Sequence, residues 1–409
     1  MSQQGPILVV SHAPQRSLVG LLDDAKLFPL IETDWADASR AVDQVGPAAV
    51  LVAMSERSDA GLTQLAAQVA GRKLYTPLIA VEPVGPLAPN AIPFTQGRGS
   101  LDRLLPRLRA ALRVRALHAT VLRRIAGEAA PTRLPQDDPL SESTVLLMGR
   151  GGSYPALSVA LGERMSVAGA LGIEAAGKQL NSRDIDGIVL SEGFTTRVVD
   201  AFLTVLSEDA RFRNLPVVLT TAELAPRYEL PNFEILMGEP DQIAINAVPL
   251  IRQHAFEARL SRTLRAIDAG GRIDPRTGLL TQAAFDREVA TAVRQMLAAG
   301  GGLSVARFAF EGAHARAQLD GARIISHMMR QMDFGTLRPD SSVVVVFAET
   351  DLRAAHTIAR RLSSVIRQTS HGAGHARFEP VLSVATLQPT DTPAALLARL
   401  DRGPQRAVS

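Results

Sequence analysis

Short apolar runs alternate with longer amphipathic stretches in the first third of the chain. Residues 7–10, 48–53 and 78–81 are apolar runs without charges, and helical periodicity lies between them and continues over residues 101–125. Strands that are apolar on both faces and alternate with helices are typical of a parallel sheet covered by helices on both sides. The pattern therefore predicts an α/β unit over residues 1–130.

The same order of elements begins again after a polar, proline-containing connector at residues 131–143. The patterns at 144–148, 187–190 and 216–220 are those of buried strands, each followed by a helical or turn segment. A second α/β unit is therefore predicted over residues 141–266. The two units resemble each other in their pattern rather than in their letters.

The last third of the chain has a third pattern of elements. A predicted helix at 243–267 leads into strands at 303–310, 343–347 and 379–387 and into helices at 320–332 and 352–368. We expect a third α/β domain at residues 267–409.

Composition and charge restrict the possible partners. The formal net charge is +3, and no run of consecutive basic residues forms a dense stripe, so nucleic-acid binding is not expected. The absence of cysteine excludes disulfides and zinc sites built on thiolates. No signal-peptide pattern precedes the first strand, and no window approaches about eighteen apolar residues, so we expect a cytoplasmic protein without membrane insertion.

A motif at residues 274–279 connects the third unit to a known family. The positions that fit the Asp-x-Leu-Thr-x-Leu signature opening a GGDEF domain, the diguanylate cyclase fold, are Asp274, Thr277, Leu279 and the downstream Phe285, while Arg276 replaces a leucine. Residues 349–351 match the segment that follows the family's catalytic turn. With its order of units, the chain resembles the receiver–receiver–GGDEF response regulators of the PleD and PopA type. The resemblance implies two tandem flavodoxin-like receiver domains followed by a GGDEF domain.

The two receiver-like units lack the residues of phosphotransfer. A receiver needs an acidic cluster that binds Mg²⁺ and an aspartate that accepts the phosphoryl group. The resemblance places other residues at these positions: Ser11, His12 and Ala53 in the first unit, and Gly149, Arg150 and Ser191 in the second. Thr221 fits the switch hydroxyl, but Glu239 stands where its partner lysine is expected. Phosphotransfer by either unit is therefore not expected.

The GGDEF-like unit has also lost the residues that the family uses for catalysis. Arg307 and Ala309 stand where two metal-binding aspartates are expected, and the position of the guanine-reading asparagine falls near Ala315. The signature turn is Pro-Asp-Ser-Ser-Val at 339–343, which has no glycine and places serine and valine where the catalytic acids belong. The resemblance therefore implies a cyclase fold without cyclase activity.

A binding motif remains beside this turn. Cyclases of the family often carry an inhibitory Arg-x-x-Asp site five residues before the turn, which binds cyclic di-GMP, and Arg330 and Asp333 have that pattern and position. An arginine can donate to guanine O6 and N7, and an aspartate can accept from donors on the opposite edge of the base. Arg361 falls near the place of a second arginine in such sites.

The motif has alternative interpretations. Arg-x-x-Asp also occurs at Arg40/Asp43, Arg183/Asp186, Arg197/Asp200 and Arg265/Asp268. At a helix end, Arg330 and Asp333 could form an exposed ion pair worth only about 0.2 to 0.5 kcal/mol, and Arg361 could be a solvated charge beside Arg360.

The sequence therefore predicts a catalytically inactive cyclic di-GMP effector without a metal or other cofactor. We expect it to form a homodimer and to act through protein partners, in the cytoplasm or at a cell pole. A scaffold that binds no nucleotide is one alternative, and a residual diguanylate cyclase is another. His371 and His375 lie in a glycine-rich loop and are interpreted as solvent-exposed rather than as metal ligands.

Overall fold

A computed structural model gives the fold of the protein. It describes residues 5–12, 16–24, 29–54, 59–83, 85–95, 101–126, 134–135, 137–221, 228–299, 302–310, 315–330, 332–369 and 379–401. His371 and His375 lie outside the described residues. The chain forms two compact units, one of residues 1–127, 135–176 and 185–260 and one of residues 128–134, 177–184 and 261–409. Among the described helices, none is both long and apolar enough for a membrane span.

The first sheet of the first unit is parallel and has five strands in the order β2-β1-β3-β4-β5. The strands are β1 (Ile7–Val10), β2 (Leu30–Thr33), β3 (Ala49–Ala53), β4 (Leu78–Val81) and β5 (Ala91–Phe94), and the helices are α1 (Arg16–Asp24), α2 (Ala38–Val45), α3 (Asp59–Ala70) and α4 (Leu104–Ala126). The predictions of β1, β3 and β4 are confirmed, to within one residue at the start of β3.

Strand β1 shows why these runs carry no polar residue. Ile7 and Val9 pack into one buried cluster, whereas Leu8 and Val10 pack into another. Because successive side chains of a strand point to opposite faces, both faces of this sheet are covered. Burial on both faces therefore produces the continuous apolar run that the sequence displays.

The second sheet of the same unit is also parallel, with the order β10-β9-β8-β6-β7. Its strands are β6 (Thr144–Met148), β7 (Ser166–Ala170), β8 (Gly187–Leu190), β9 (Val217–Leu219) and β10 (Phe233–Ile235), and the helices of this stretch are α5 (Tyr154–Gly162), α6 (Ile173–Ser182), α7 (Thr196–Glu208) and α8 (Pro240–Asp268). Strands β6, β8 and β9 were predicted, whereas β5, β7 and β10 were not.

A buried ion pair joins the two parallel sheets of the first unit. Arg107 of α4 lies 3.1 Å from the Glu234 carboxylate of β10, and both side chains are 1% exposed or less. Arg107 also donates to the carbonyls of Pro93 and Phe233, which belong to the edge strands β5 and β10. The Glu234 carboxylate in turn accepts a 2.9 Å hydrogen bond from the amide of Thr95.

The second unit contains an antiparallel sheet of four strands in the order β12-β13-β11-β14. The strands are β11 (Leu303–Ala309), β12 (Phe334–Leu337), β13 (Val343–Ala348) and β14 (Val381–Thr386), and the helices are α9 (Gln282–Ala299), α10 (Ala315–Met328), α11 (Leu352–Thr369) and α12 (Pro393–Asp401). Helices α10 and α11 share one buried cluster, in which Ile324 and Ile325 pack with Ala359, Leu362 and Ile366.

Among the described residues the fold is α/β, as predicted, and the three sheets follow the predicted order along the chain. The proposed boundaries at 1–130, 141–266 and 267–409 stay a prediction, since the first two sheets share one compact unit. One helix was predicted wrongly at both ends: the helix expected at 320–332 spans Ala315–Met328. It ends early because the amide of Asp333 bonds back to the carbonyl of Arg330 and Phe334 opens β12, which pairs with β13.

Candidate functional site

The turn at residues 339–343, which the sequence resemblance predicts to be the signature turn, closes the hairpin of β12 and β13. Leu337 pairs with Val343, and the amide of Arg338 donates to the carbonyl of Ser342 at 2.8 Å. Asp340 accepts hydrogen bonds from the Ser342 amide at 3.0 Å and from the Ser342 hydroxyl at 2.7 Å. Ser341 has φ +63°, a left-handed conformation that glycine adopts more readily than serine. The turn is thus held by its own polar side chains.

Arg307 of β11 reaches this turn from the neighbouring strand. Its Nη2 donates to Asp340 at 2.9 Å and its Nε donates to the Ser342 hydroxyl at 3.2 Å. Asp401, at the end of α12, lies 3.8 Å from Arg307 and 2.9 Å from Arg338. A guanidinium group of β11 therefore bonds directly to the turn at residues 339–343.

The electrostatics of Asp340 reflect these contacts. Partial burial by itself raises the pKa of this carboxyl, but hydrogen bonds from Ser342 and Arg307, with the positive charge of Arg307, lower the pKa to about 2. The carboxylate is consequently ionised at neutral pH and engaged by Arg307 and Ser342. Ala309 is a buried residue of the same strand β11, and its methyl group offers no metal ligand.

Arg330 and Asp333 lie in the short connector between α10 and β12. The amide of Asp333 donates to the carbonyl of Arg330 at 3.0 Å, so the two residues close one turn. The Asp333 side chain is 8% exposed and accepts a hydrogen bond from the amide of Ala348 at 3.2 Å, whereas Arg330 is exposed. Asp333 therefore supports the last residue of β13, while Arg330 faces solvent.

Burial raises the pKa of Asp333, and the bond from Ala348 and the charge of Arg330 oppose that rise. A pKa raised on folding contributes stability that is present below the unfolded pKa and is lost as pH rises through the folded pKa. Asparagine retains an oxygen that can accept from Ala348 and cannot ionise. We therefore expect wild type to lose stability relative to Asp333→Asn as pH rises from about 3.5 to 7, as measured by urea midpoints of the second unit.

The control for this pH series is Asp286→Asn. Asp286 is an exposed carboxylate of α9 that accepts a hydrogen bond from the side-chain amide of Gln282 at 2.8 Å. Asp286→Asn therefore makes the same chemical change as Asp333→Asn, but at the surface. A difference between wild type and Asp333→Asn that stays constant over the whole pH series would contradict the assignment of a buried, ionisable Asp333.

Arg361 lies on the exposed face of α11, between the buried Ala359 and Leu362. Because α10 and α11 share one buried cluster, α11 is a helix neighbour of the element that leads into Arg330. The adjacent Arg360 lines an open groove with Arg367 and Glu379. The structure thus places the two arginines on the same helix in different surroundings, which makes Arg360 a suitable control for Arg361.

The other Arg-x-x-Asp patterns have internal partners in the structure. Asp186 is buried and accepts from the amide of Thr144 at 2.9 Å. Asp200 accepts a hydrogen bond from the hydroxyl of Tyr228. The exposed Arg40 of α2 pairs with Asp37 at 2.6 Å rather than with Asp43. These contacts favour structural interpretations of three of the four rival patterns.

The loop that follows β6 is held by Glu192, a residue of the loop after β8. Glu192 accepts from the amide of Ser153 at 2.9 Å, and its carbonyl accepts from the amide of Arg150 at 3.0 Å. Ser191 is buried, with its hydroxyl 3.0 Å from that of Ser153. Hydrogen bonds from the amide and the hydroxyl of Ser153, with one from the amide of Gly152, lower the pKa of Glu192. The glycine-rich loop after β6 is therefore hydrogen-bonded to the Glu192 side chain.

Solved structures similar to this chain are GGDEF domains. A sensory box/GGDEF family protein from Caulobacter crescentus is 22% identical, with a TM-score of 0.29 over 32% of this chain and 94% of that one. The GGDEF domain of DgcB from the same organism, in complex with cyclic di-GMP, is 14% identical, with a TM-score of 0.30 over 32% and 84%. The FimX GGDEF domain from Pseudomonas aeruginosa is 20% identical, with a TM-score of 0.29 over 32% and 90%.

Similarities with TM-scores of this size do not establish a function, which has to follow from the residues themselves. A scan against protein-family models finds no match. A search of curated proteins finds none either.

Proposed function

We propose that the protein is a catalytically inactive effector of cyclic di-GMP, which binds the nucleotide at Arg330, Asp333 and Arg361 and acts through protein partners. The observation that carries this proposal is the contrast between the two ends of β12. Arg307 bonds to the former catalytic turn through Asp340, while Arg330 is exposed in the connector at the other end of β12.

The residue chemistry of the connector suits a guanine base. A guanidinium fork can donate two hydrogen bonds to O6 and N7, and a carboxylate can accept from the donors on the opposite edge. Ionised, Asp333 presents four acceptor sites, and the bond from Ala348 engages one oxygen. Binding therefore requires no loss of the bond that supports β13. Arg361 adds a cation for a phosphate of the ligand.

The absence of cyclase activity has its own test. With GTP and Mg²⁺, the purified protein should form no cyclic di-GMP, because Arg307 and Ala309 supply no metal ligand and Arg307 engages Asp340. Product formation is followed by chromatography, with an active diguanylate cyclase as the positive control. Mg²⁺-dependent product from a preparation free of contaminating cyclase would overturn the proposal and support the residual-cyclase alternative.

A nucleotide-independent scaffold is the second candidate, and the bond between Asp333 and Ala348 favours it, since that bond gives the aspartate a structural role. Calorimetry of the intact protein with cyclic di-GMP separates the two functions. Heat of binding at a single class of sites supports the effector, whereas no heat supports the scaffold. Homodimerisation and a location at a cell pole belong to the same proposal, and light scattering with and without cyclic di-GMP tests the dimer.

A further inference from the structure

A second, smaller hairpin at residues 273–280 contains the Asp274–Leu279 motif, and the side chain of Asp274 holds its turn. The Asp274 carboxylate accepts from the amide of Arg276 at 2.9 Å and from the hydroxyl of Thr277 at 3.1 Å. The amide of Gly278, which has φ +76°, donates to the Asp274 carbonyl at 2.8 Å. The side chain of Asp274 is therefore engaged inside the turn, and the carbonyls of the turn face outward to other partners.

Two arginines from different helices bind those carbonyls. Arg262 of α8 donates from Nε to the carbonyl of Pro275 at 3.1 Å, and Arg323 of α10 donates from Nε to the carbonyl of Arg276 at 2.7 Å. Arg323 is 9% exposed. In each contact the Nε atom of the guanidinium group donates to a main-chain carbonyl oxygen. The hairpin thus positions both guanidinium groups at one place in the second unit.

These groups line a pocket of about 340 Å³, together with Arg265 and His327. The acidic side chains of the lining are Asp274, which is engaged in its own turn, and the half-exposed Asp184, which lies 3.7 Å from Arg262. The exposed Arg265 donates from Nε to the carbonyl of Ser261 in its own helix at 3.4 Å. Three arginines therefore face two aspartates, and the pocket has an excess of positive charge.

We propose that this pocket binds a small phosphate-bearing molecule of about the size of a mononucleotide, at a site separate from Arg330 and Asp333. The volume lies at the lower end of the range for small-molecule sites. Guanidinium forks match phosphate oxygens in geometry and charge, and an imidazole can add a further donor. The polar lining suits a phosphate rather than an apolar ligand.

Calorimetry of the full chain with inorganic phosphate and with GMP, in chloride buffer of matched ionic strength, tests the proposal. Wild type should bind GMP, and Arg265→Ala should bind it about tenfold more weakly, because a charge-assisted hydrogen bond is removed. His327→Ala should also weaken binding. Because the hydrogen bond of Arg265 stays within α8, we expect its loss to leave the protein folded. Arg360→Ala, in the groove of α11, is the matched control and should bind GMP as wild type does.

The result with Arg330→Ala distinguishes this site from the proposed cyclic di-GMP site. GMP binding that persists in Arg330→Ala and is weakened when Arg265→Ala is added supports the pocket whether or not guanine also binds at Arg330. Binding of inorganic phosphate alone, lost in Arg265→Ala, supports a free phosphate as the source of the anion. Binding of neither probe by wild type, or equal binding by wild type and Arg265→Ala, would overturn the proposal.

Discussion

Arg330→Ala is expected to weaken cyclic di-GMP binding by about 1 to 3 kcal/mol, roughly 5- to 150-fold. Arg330 is exposed, and its carbonyl, which survives the substitution, accepts the amide of Asp333. The variant therefore removes the guanidinium group proposed to bind guanine without removing the turn that places it. Titration calorimetry of the intact protein measures the change.

Arg330→Lys sharpens this test, because lysine keeps the charge but cannot donate a bidentate pair in the fixed geometry of a guanidinium. If the side chain reads a guanine edge, lysine should not restore affinity; restored affinity would indicate simple attraction to phosphate. Affinity should also decline as pH falls below the raised pKa of Asp333, since a protonated carboxyl loses acceptor capacity.

Two matched controls accompany these variants. Arg40→Ala removes an exposed arginine from another Arg-x-x-Asp pattern and should leave binding unchanged. Arg361→Ala should weaken binding while Arg360→Ala, one residue away on α11, should not. Equal affinity of wild type and Arg330→Ala would refute the proposed site, and equal losses from Arg360→Ala and Arg361→Ala would assign their effect to general electrostatic attraction.

Arg107→Met should lower the free energy of unfolding of the first unit by about 3 to 5 kcal/mol, because it leaves Glu234 as an unpaired buried charge. Burial raises the pKa of Glu234, and the neighbouring Arg107 and Arg103 oppose that rise. Methionine also leaves the carbonyls of Pro93 and Phe233 without the donor that Arg107 supplies. Trp35, the single tryptophan, belongs to this unit and can report its urea unfolding by fluorescence.

Arg113→Met is the control for this prediction. Arg113 lies on the same helix and pairs with Glu257 at 3.0 Å, but its side chain is 44% exposed, so its loss should cost less than about 1 kcal/mol. Adding Glu234→Leu to Arg107→Met should recover part of the stability by removing the stranded carboxylate. Similar midpoint shifts for the two arginine variants would contradict the special role of Arg107.

Much of the fold could be predicted from residue patterns, since a strand buried on both faces must be apolar throughout. β1, β6 and β8 have the predicted bounds for this reason. The edge strands β5 and β10 were missed because β5 contains Pro93 and β10 contains the charged Glu234, residue types that argue against a buried strand. β12 was missed because Gly335 and Thr336 interrupt the apolar pattern, and their burial depends on pairing with β13.

The sequence by itself determined which side chains are available at the candidate site. Arg307, Ala309 and the glycine-free turn are residue identities that no folding alters, and so are the residue types and spacing of Arg330 and Asp333. Only the tertiary structure decided how these groups are engaged. It paired Arg307 with Asp340, turned Asp333 toward Ala348 and set Arg107 against Glu234. The partners lie 33, 15 and 127 residues apart, so only folding brings the groups of each pair within hydrogen-bonding distance.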